Sequence, residues 1–450
     1  MSALTIDETH NLASPAASEA GEISSSASWA DSSDDGGDSR SRCSSNDDEF
    51  GAEHEDARSA AAVAELSFDA KKTVLVTGDD EFGPRSGAAK KTVLVTGGAG
   101  FIGSHVCEHL LNRGDDVVLV DEVNDYYDVR IKRSNLRRLR AGWGTDRLRI
   151  YEGDCADAEF MGDLWAAEMP RHVVHLAARA GVRPSIQDPF IYIHSNVDAT
   201  TRLLELARVH GNDSFVFASS SSVYGGSKKS LFSETDVVDF PVSPYAATKK
   251  ACELMAYTYH HLYGMNIAGL RFFTVYGPRG RPDMAPFKFV DRVSRGLEIQ
   301  QFGDGSSSRD YTYIDDIVSG VVLSLDKPQG YQIYNLGNGN PVGLKDFISI
   351  VEGATGKAAQ IKIMPDQPGD VPRTAADISK ARRLLGYEPK VAFKDGIERL
   401  AAWYRDEYAV MGEEPETFGA GKTQDTITNM AKSTSMVSLA LGSHGEAGVF

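Results

Sequence analysis

From Lys90 to about Ala409 the chain alternates short β-branched apolar runs with stretches whose apolar positions recur every three or four residues. The runs at Thr92–Thr96, Val117–Asp121, Leu148–Tyr151, His172–Leu176 and Ser214–Ser219 have the length of buried strands and are too short for helices. Between the first two, SHVCEHLLNR brings Val106, Cys107, Leu110 and Leu111 onto one helical stripe. This strand–helix–strand rhythm predicts the α/β class, with a doubly wound parallel sheet covered by helices on both faces. Beyond Gly277 the pattern turns irregular and rich in Gly and Pro, with helices expected near Phe287–Gly296 and Asp346–Thr355. A smaller C-terminal α/β region, interleaved with the first and covering the substrate, is expected there.

The ends of the chain read differently. Residues 1–69 hold 15 serines and 16 acidic against 3 basic side chains, so most of the formal net charge of -17 belongs to this stretch. So little apolar surface predicts a disordered tail. The net charge of -17 argues against a general nucleic-acid or anionic-membrane binder, and the remaining 381 residues are nearly balanced. No apolar run is long enough for a membrane-spanning helix, and the first thirty residues lack the basic residues of a targeting segment. Cys43, Cys107, Cys155 and Cys252 lie far apart, so neither a metal site nor a disulfide framework is expected, and a reducing, cytoplasmic compartment is the default. AKKTVLVTG occurs twice, at Ala70–Gly78 and Ala89–Gly97. Only the second copy runs on into GAGFIG, and it is expected to occupy the strand position. After Ala409 the periodicity fades into a second tail.

In TVLVTGGAGFIGSH, Gly97, Gly100 and Gly103 stand between a strand and a helix. Gly97 and Gly100 allow a tight turn and close approach of a pyrophosphate, and Gly103 allows close packing of the helix, whose N-terminus faces the phosphates. Asp121 closes the next strand, placed to bond both ribose hydroxyls and repel a 2′-phosphate. That is a Rossmann-type site for NAD rather than NADP. Asp154, followed by Cys155, either faces the adenine or merely closes a turn.

Tyr245 and Lys249 are four apart in SPYAATKK, after a Ser243–Pro244 helix start, and so share one face of the first turns. A phenol is a poor base near neutral pH, and a neighbouring ammonium favours its ionisation. Upstream, FASSSSVYG ends a core strand, and Ser220 is expected to bond the reacting hydroxyl.

Together GGAGFIG, Asp121, HLAA, SSSSVYG and YAATK resemble the extended short-chain dehydrogenase/reductase family, over about Lys90 to Tyr408. The stretches NDYYDVR, AGVRPS, SPYAATKKACELMA, RFFTVYGPRGRPDMAPFKF and RDYTYIDDIV are similar to the nucleotide-sugar 4-epimerases acting on UDP-glucuronate. The resemblance implies bound NAD, a UDP-sugar substrate, a homodimer formed through helices at residues 199–210 and 245–264, and interconversion of UDP-glucuronate and UDP-galacturonate through a 4-keto intermediate. It implies further cofactor contacts from Phe101, Ile102, Ala177 and Ser219. Tyr245 then removes the proton of the sugar 4-hydroxyl, Lys249 tunes it and holds the nicotinamide ribose, and Ser220 orients the oxygen.

The strand-end motif carries Ser220, Ser221 and Ser222 where related dehydratases and decarboxylating enzymes carry a carboxylate, which favours an enzyme that stops at the ketone. A substrate carboxylate is expected to meet Thr274, Arg281 and Ser221 or Ser222. Arg309 and Arg373 resemble diphosphate-binding arginines, with ion pairs to Asp310 and Asp370 as the plainer reading, and Arg183 is a further candidate. Two alternatives stand beside this one: a 4-epimerase for neutral UDP-hexoses, and a catalytically silent NAD-binding scaffold. The expected division is a tail over 1–89, an NAD-binding region over 90–275, a substrate-binding region over 276–411 and a tail over 412–450.

Overall fold

The computed structural model describes residues 91–365 and 373–412, all within one compact unit. The acidic tail, the first AKKTVLVTG copy and the C-terminal tail beyond Gly412 lie outside the described residues. In chain order the first half runs β1 (Thr92–Thr96), α1 (Phe101–Arg113), β2 (Asp116–Asp121), α2 (Val129–Arg140), β3 (Leu148–Glu152), α3 (Ala158–Glu168) and β4 (His172–His175). Two short helices, α4 (Val182–Gln187) and α5 (Pro189–Tyr192), lead through a π-helical turn at Ile193–Asp198 into α6 (Ala199–His210). Then come β5 (Ser214–Ser220), α7 (Pro244–Tyr263), β6 (Ile267–Phe272), β7 (Thr274–Tyr276), α8 (Ala285–Ser294), β8 (Glu298–Phe302), β9 (Ser308–Arg309), β10 (Tyr311–Tyr313), α9 (Ile314–Asp326) and β11 (Tyr331–Leu336).

Seven strands form one parallel sheet in the order β11-β6-β5-β4-β1-β2-β3. The order reverses between β1 and β4, and a doubly wound sheet opens its ligand crevice at such a reversal, beyond the C-terminal strand ends. Alternate residues of β1 and β2 serve different cores. Val93, Val95, Val117 and Leu119 pack with α1, α2 and α9, while Leu94, Val118 and Val120 pack with α3, α6 and α7. Burial on both faces explains why these strands read as continuous apolar runs. Val106, Cys107, Leu110 and Leu111 form the buried stripe of α1, as their spacing predicts.

Smaller pairings outside this sheet bring the second region over the crevice. β7 pairs in parallel with β10, and β8 with a strand at Gln360–Met364. β11 returns to the main sheet beside β6, so the two regions share one core. The helix expected from Phe287 begins two residues earlier, because Pro286 is accommodated in its first turn.

Candidate functional site

Beyond the ends of β1, β4 and β5 lies a cleft of about 440 Å³ lined by the glycine turn, Asp121, Leu176–Val182, Ser219–Ser222, Tyr245, Lys249, Phe272–Val275 and Arg281. Gly97 takes a left-handed conformation (φ +69°), and a methyl group on it would sit 2.6 Å from the Ala177 nitrogen. A methyl group on Gly103 would come within 2.1 Å of the Gly97 carbonyl oxygen, so this glycine lets α1 seat against the turn itself. The first turn of α1 has no side-chain cap and no acidic residue. Its N–H groups therefore face the cleft with the positive end of the helix dipole.

Asp121 is buried at the end of β2. One carboxylate oxygen accepts the Ala99 N–H at 3.0 Å and the other the Val123 N–H at 2.8 Å, which fixes the plane of the group. Burial raises its pKa, opposed by the charge of Lys132 and by these backbone donors. Each oxygen keeps a lone pair for a vicinal diol, so the residues present fit a dinucleotide: amide donors for a diphosphate and a fixed carboxylate for a ribose. Asp154 also lines the cleft, but it accepts the Ala156 N–H and pairs with His194 at 2.7 Å, combining the turn role with a place at the site. Cys155 is buried beside it, with its thiol pushed up by desolvation.

At the far end of the cleft α7 starts as its sequence predicts, with Ser243 capping the Ala246 N–H and Pro244 in the first turn. Tyr245 and Lys249 are both buried. Burial raises the Tyr245 pKa, while a hydrogen bond with Ser220 and the charge of Arg281 work the other way. Lys249 Nζ donates to the Ala218 carbonyl at 2.8 Å, and burial lowers its pKa. Arg281, 36 positions on in the chain, also brings its charge to bear on the phenol. Ser220 Oγ accepts the Ser222 N–H and starts the 3-10 turn that carries Ser221 and Ser222. Ser219 turns its hydroxyl to Glu253, which holds Arg271 in a buried bidentate pair at 2.8 Å.

Arg281 is 18 % exposed and faces the cleft rather than bulk solvent, held by Asp283 through two hydrogen bonds. Thr274 lies on the same wall. Arg309 and Arg373 come together around Ser308, which bridges to Arg373, but neither lines this cleft. Asp310 accepts the N–H groups of Asn338, Gly339 and Ala376, so its role is to pin backbone. Arg183 lies outside the cleft wall with its guanidinium over the Phe302 ring. Sequence reasoning missed Tyr126, Lys132, Arg179 and Asn196. Tyr126 and Lys132 sit in or beside the NDYYDVR stretch and Arg179 directly follows HLAA, so the motifs themselves were the available signal.

Residues 94–400 match the family model described as GDP-mannose 4,6 dehydratase. UDP-glucuronate 4-epimerase of Thermodesulfobacterium geofontis is 45 % identical over 309 residues, covering 68 % of this chain and 94 % of that protein. UDP-glucuronate 4-epimerase 4 of Arabidopsis thaliana is 44 % identical over 330 residues, 69 % of this chain and 74 % of that one. Among solved structures, the UDP-glucuronic acid 4-epimerase of Bacillus cereus in complex with UDP-glucuronic acid and NAD superposes with a TM-score of 0.65 at 36 % identity, covering 70 % of this chain and 99 % of that chain. The UDP-glucose 4-epimerase of Thermotoga maritima with UDP-glucose gives 0.64 at 32 % identity, covering 70 % and 98 %.

Proposed function

This chain belongs to the GDP-mannose 4,6-dehydratase family within the extended short-chain dehydrogenases/reductases, and from that membership we propose that it is an NAD-dependent 4-epimerase interconverting UDP-glucuronate and UDP-galacturonate. The observation that carries this reading is the meeting of two walls: Tyr245, Ser220 and Lys249 at one end of a cleft whose other end holds the glycine turn and Asp121, with Arg281 turned toward Tyr245.

NAD supplies, when bound, an acceptor for the C4 hydrogen that is restored within the cycle. Gly97, Gly100, Phe101 and Ile102 line its diphosphate position, Asp121 takes the adenine ribose, and Asp154, Cys155, Ala177 and Ser219 line the remainder. Tyr245 Oη accepts the proton of the sugar 4-hydroxyl, and Ser220 Oγ holds the oxygen that loses it. Arg281 helps hold Tyr245 as the phenolate that takes this proton and becomes the phenol, since a cation beside a phenol favours its ionised form. A hydrogen-bonded base in a buried site contributes about 10²–10⁴ in rate. Arg281, Thr274 and the Ser221–Ser222 turn hold the sugar carboxylate, with no side-chain carboxylate in that turn to carry the ketone further. Arg183, Arg309 and Arg373, off the cleft wall, serve the more distal uridine diphosphate.

The likeness to a UDP-glucose 4-epimerase supports a second reading, turnover of neutral UDP-hexoses. Supplying each UDP-sugar and following its anomeric NMR signals decides between them. Preferred turnover of UDP-glucuronate is expected, and equal turnover of UDP-glucose would overturn the choice.

The NAD-binding part spans 90–275 and the sugar-binding part 276–411 in this reading. The partner is a second copy, docked through α6 and α7, where Val209, Leu254 and Tyr257 are exposed. Light scattering of the purified chain at twice its 48.7 kDa mass is the expected result. Among the described residues Cys107, Cys155 and Cys252 are buried and free, which suits a reducing, cytoplasmic compartment, and no described helix is long and apolar enough to cross a membrane.

A further inference from the structure

Arg179 leaves β4 on the loop that packs against the glycine turn. Its backbone is clamped from both sides by one buried side chain: its N–H donates to Asn196 Oδ1 at 2.8 Å, and its carbonyl accepts from Asn196 Nδ2 at 3.1 Å. Asn196 lies in the π-helical turn before α6 and also donates to Thr248 Oγ1 on α7 at 3.0 Å, so the clamp is anchored to the helix that carries Tyr245. The guanidinium of Arg179 lies over the Tyr126 ring, 4.7 Å from its centroid. The Tyr126 hydroxyl in turn donates to the Ala180 carbonyl, which closes the loop around the stack.

One terminal nitrogen of this guanidinium, Nη1, is buried and bonds to nothing. Three other arginines carry a buried orphan nitrogen, but each is half of an ion pair: Arg113 with Asp115 and Asp326, Arg271 with Glu253, Arg279 with Glu108. Among the described residues no carboxylate pairs with Arg179. A buried charged donor without an acceptor is costly, and a fixed backbone prevents it from swinging out to find one. It lines the same cleft as Gly97, Gly100, Phe101 and Ile102, the turn that opens into the uncapped N-terminus of α1. A cation and a helix N-terminus lining one cleft make a site for an anion of more than one charge.

We propose that Arg179 binds the diphosphate of the bound dinucleotide together with the α1 N-terminus. This rests on the NAD reading above. A nucleotide sugar carries a diphosphate too, and position separates the two. Arg179 sits on the loop whose Ala177 packs against Gly97 of the glycine turn, and its guanidinium stacks on the loop that follows Asp121. Arg281, the other guanidinium over Tyr126 at 5.3 Å, is the one that faces Tyr245.

The test is direct binding to the full chain, stripped of nucleotide, by calorimetry with NAD, with ADP-ribose and with adenosine. Arg179→Met is expected to weaken NAD and ADP-ribose by about ten- to a hundredfold and adenosine by less than about twofold, since a charge-assisted bond to the diphosphate is lost. Arg179→Lys, which keeps the charge but not the fork, is expected to fall between. At saturating NAD the KM for UDP-glucuronate should stay within about threefold. Unchanged NAD affinity with a raised KM would assign Arg179 to the sugar's diphosphate, and a lowered melting temperature alone would make it packing for Tyr126. Either result overturns the proposal. Because affinity for ADP-ribose requires no turnover, failure here is distinguishable from failure of the epimerase reading.

Discussion

On the proposed function, the cofactor-facing wall of the cleft is made by strand ends, whereas the sugar-facing wall is assembled from loops far apart in the chain. Gly97–Gly103 and Ala177–Arg179 follow β1 and β4 within a few residues and Asp121 ends β2; backbone donors fix the Asp121 carboxylate, and Asn196 clamps the Arg179 backbone. Ser220–Ser222, Thr274 and Arg281 come from three segments and are set by charge: Arg281 by Asp283, and Ser219 beneath them by the buried Glu253–Arg271 pair. The first wall is fixed by the sheet before any ligand arrives. The second depends on the sequence of a few loops, which is where a common scaffold varies its substrate.

Tyr245 belongs to neither wall alone, so its loss tests whether they work independently. Tyr245→Phe is expected to lower turnover by about 10²–10⁴ while the purified protein keeps its NAD. Anomeric NMR reads the first quantity and absorbance of nucleotide released on denaturation reads the second. Joint loss of both would show that the comparison draws its boundary in the wrong place.

The next effect falls on stability. Glu253→Ala leaves Arg271 buried without its counter-charge, beneath the strand end that bears Ser219 and Ser220, and should cost about 3–5 kcal/mol in denaturant unfolding. A Glu253→Leu and Arg271→Met double substitution should recover most of that loss, because no lone charge remains. If it recovers stability but not activity, the ion pair positions the serine turn rather than merely supporting the fold.

A smaller and more selective effect is expected at the sugar wall. Arg281→Met should raise KM for UDP-glucuronate by about ten- to a hundredfold and that for UDP-glucose by less than about threefold, as one charge-assisted contact is removed. Equal effects on both sugars would place Arg281 with the cofactor wall or with the base alone.

The same contrast governs what could be read from the chain. The strand at Thr92–Thr96 and the Gly97, Gly100, Gly103 and Asp121 set fall where their spacing puts them, since a strand end and a helix start are local properties. Tyr245 and Lys249 share a buried face for the same reason. The start of α8 at Ala285 was obscured by Pro286, which the first turn of a helix tolerates. Tyr126 and Arg179 lie in or beside recognisable motifs, but their stack is not legible locally, because it exists only once the loop after β2 folds onto the loop after β4. Arg309 and Arg373 read as one site, and they do meet at Ser308, but long-range pairing sets them apart from the cleft wall.

The smallest effect concerns the cofactor wall at acid pH. His175 ends β4 and is buried between two hydroxyls, with Nδ1 2.7 Å from Thr96 Oγ1 and Nε2 3.0 Å from Thr200 Oγ1. Each ring nitrogen of the neutral imidazole thus has one hydroxyl partner, and Thr96 Oγ1 also accepts the Ala177 N–H. Burial, aided by the Lys249 charge, holds the pKa down to about 3. The unfolded chain therefore binds a proton below about pH 6.5 that the folded chain refuses, so the stabilisation is complete above 6.5 and lost as pH falls toward 3. Each unit in that window costs up to about 1.4 kcal/mol. His175→Gln keeps an amide able to bond both threonines but cannot titrate. Its unfolding free energy should fall less steeply than that of the native chain between pH 6.5 and 5, by up to one proton's slope. Identical slopes would mean that the folded chain takes up the proton at His175, and that this wall yields to charge as the sugar wall does.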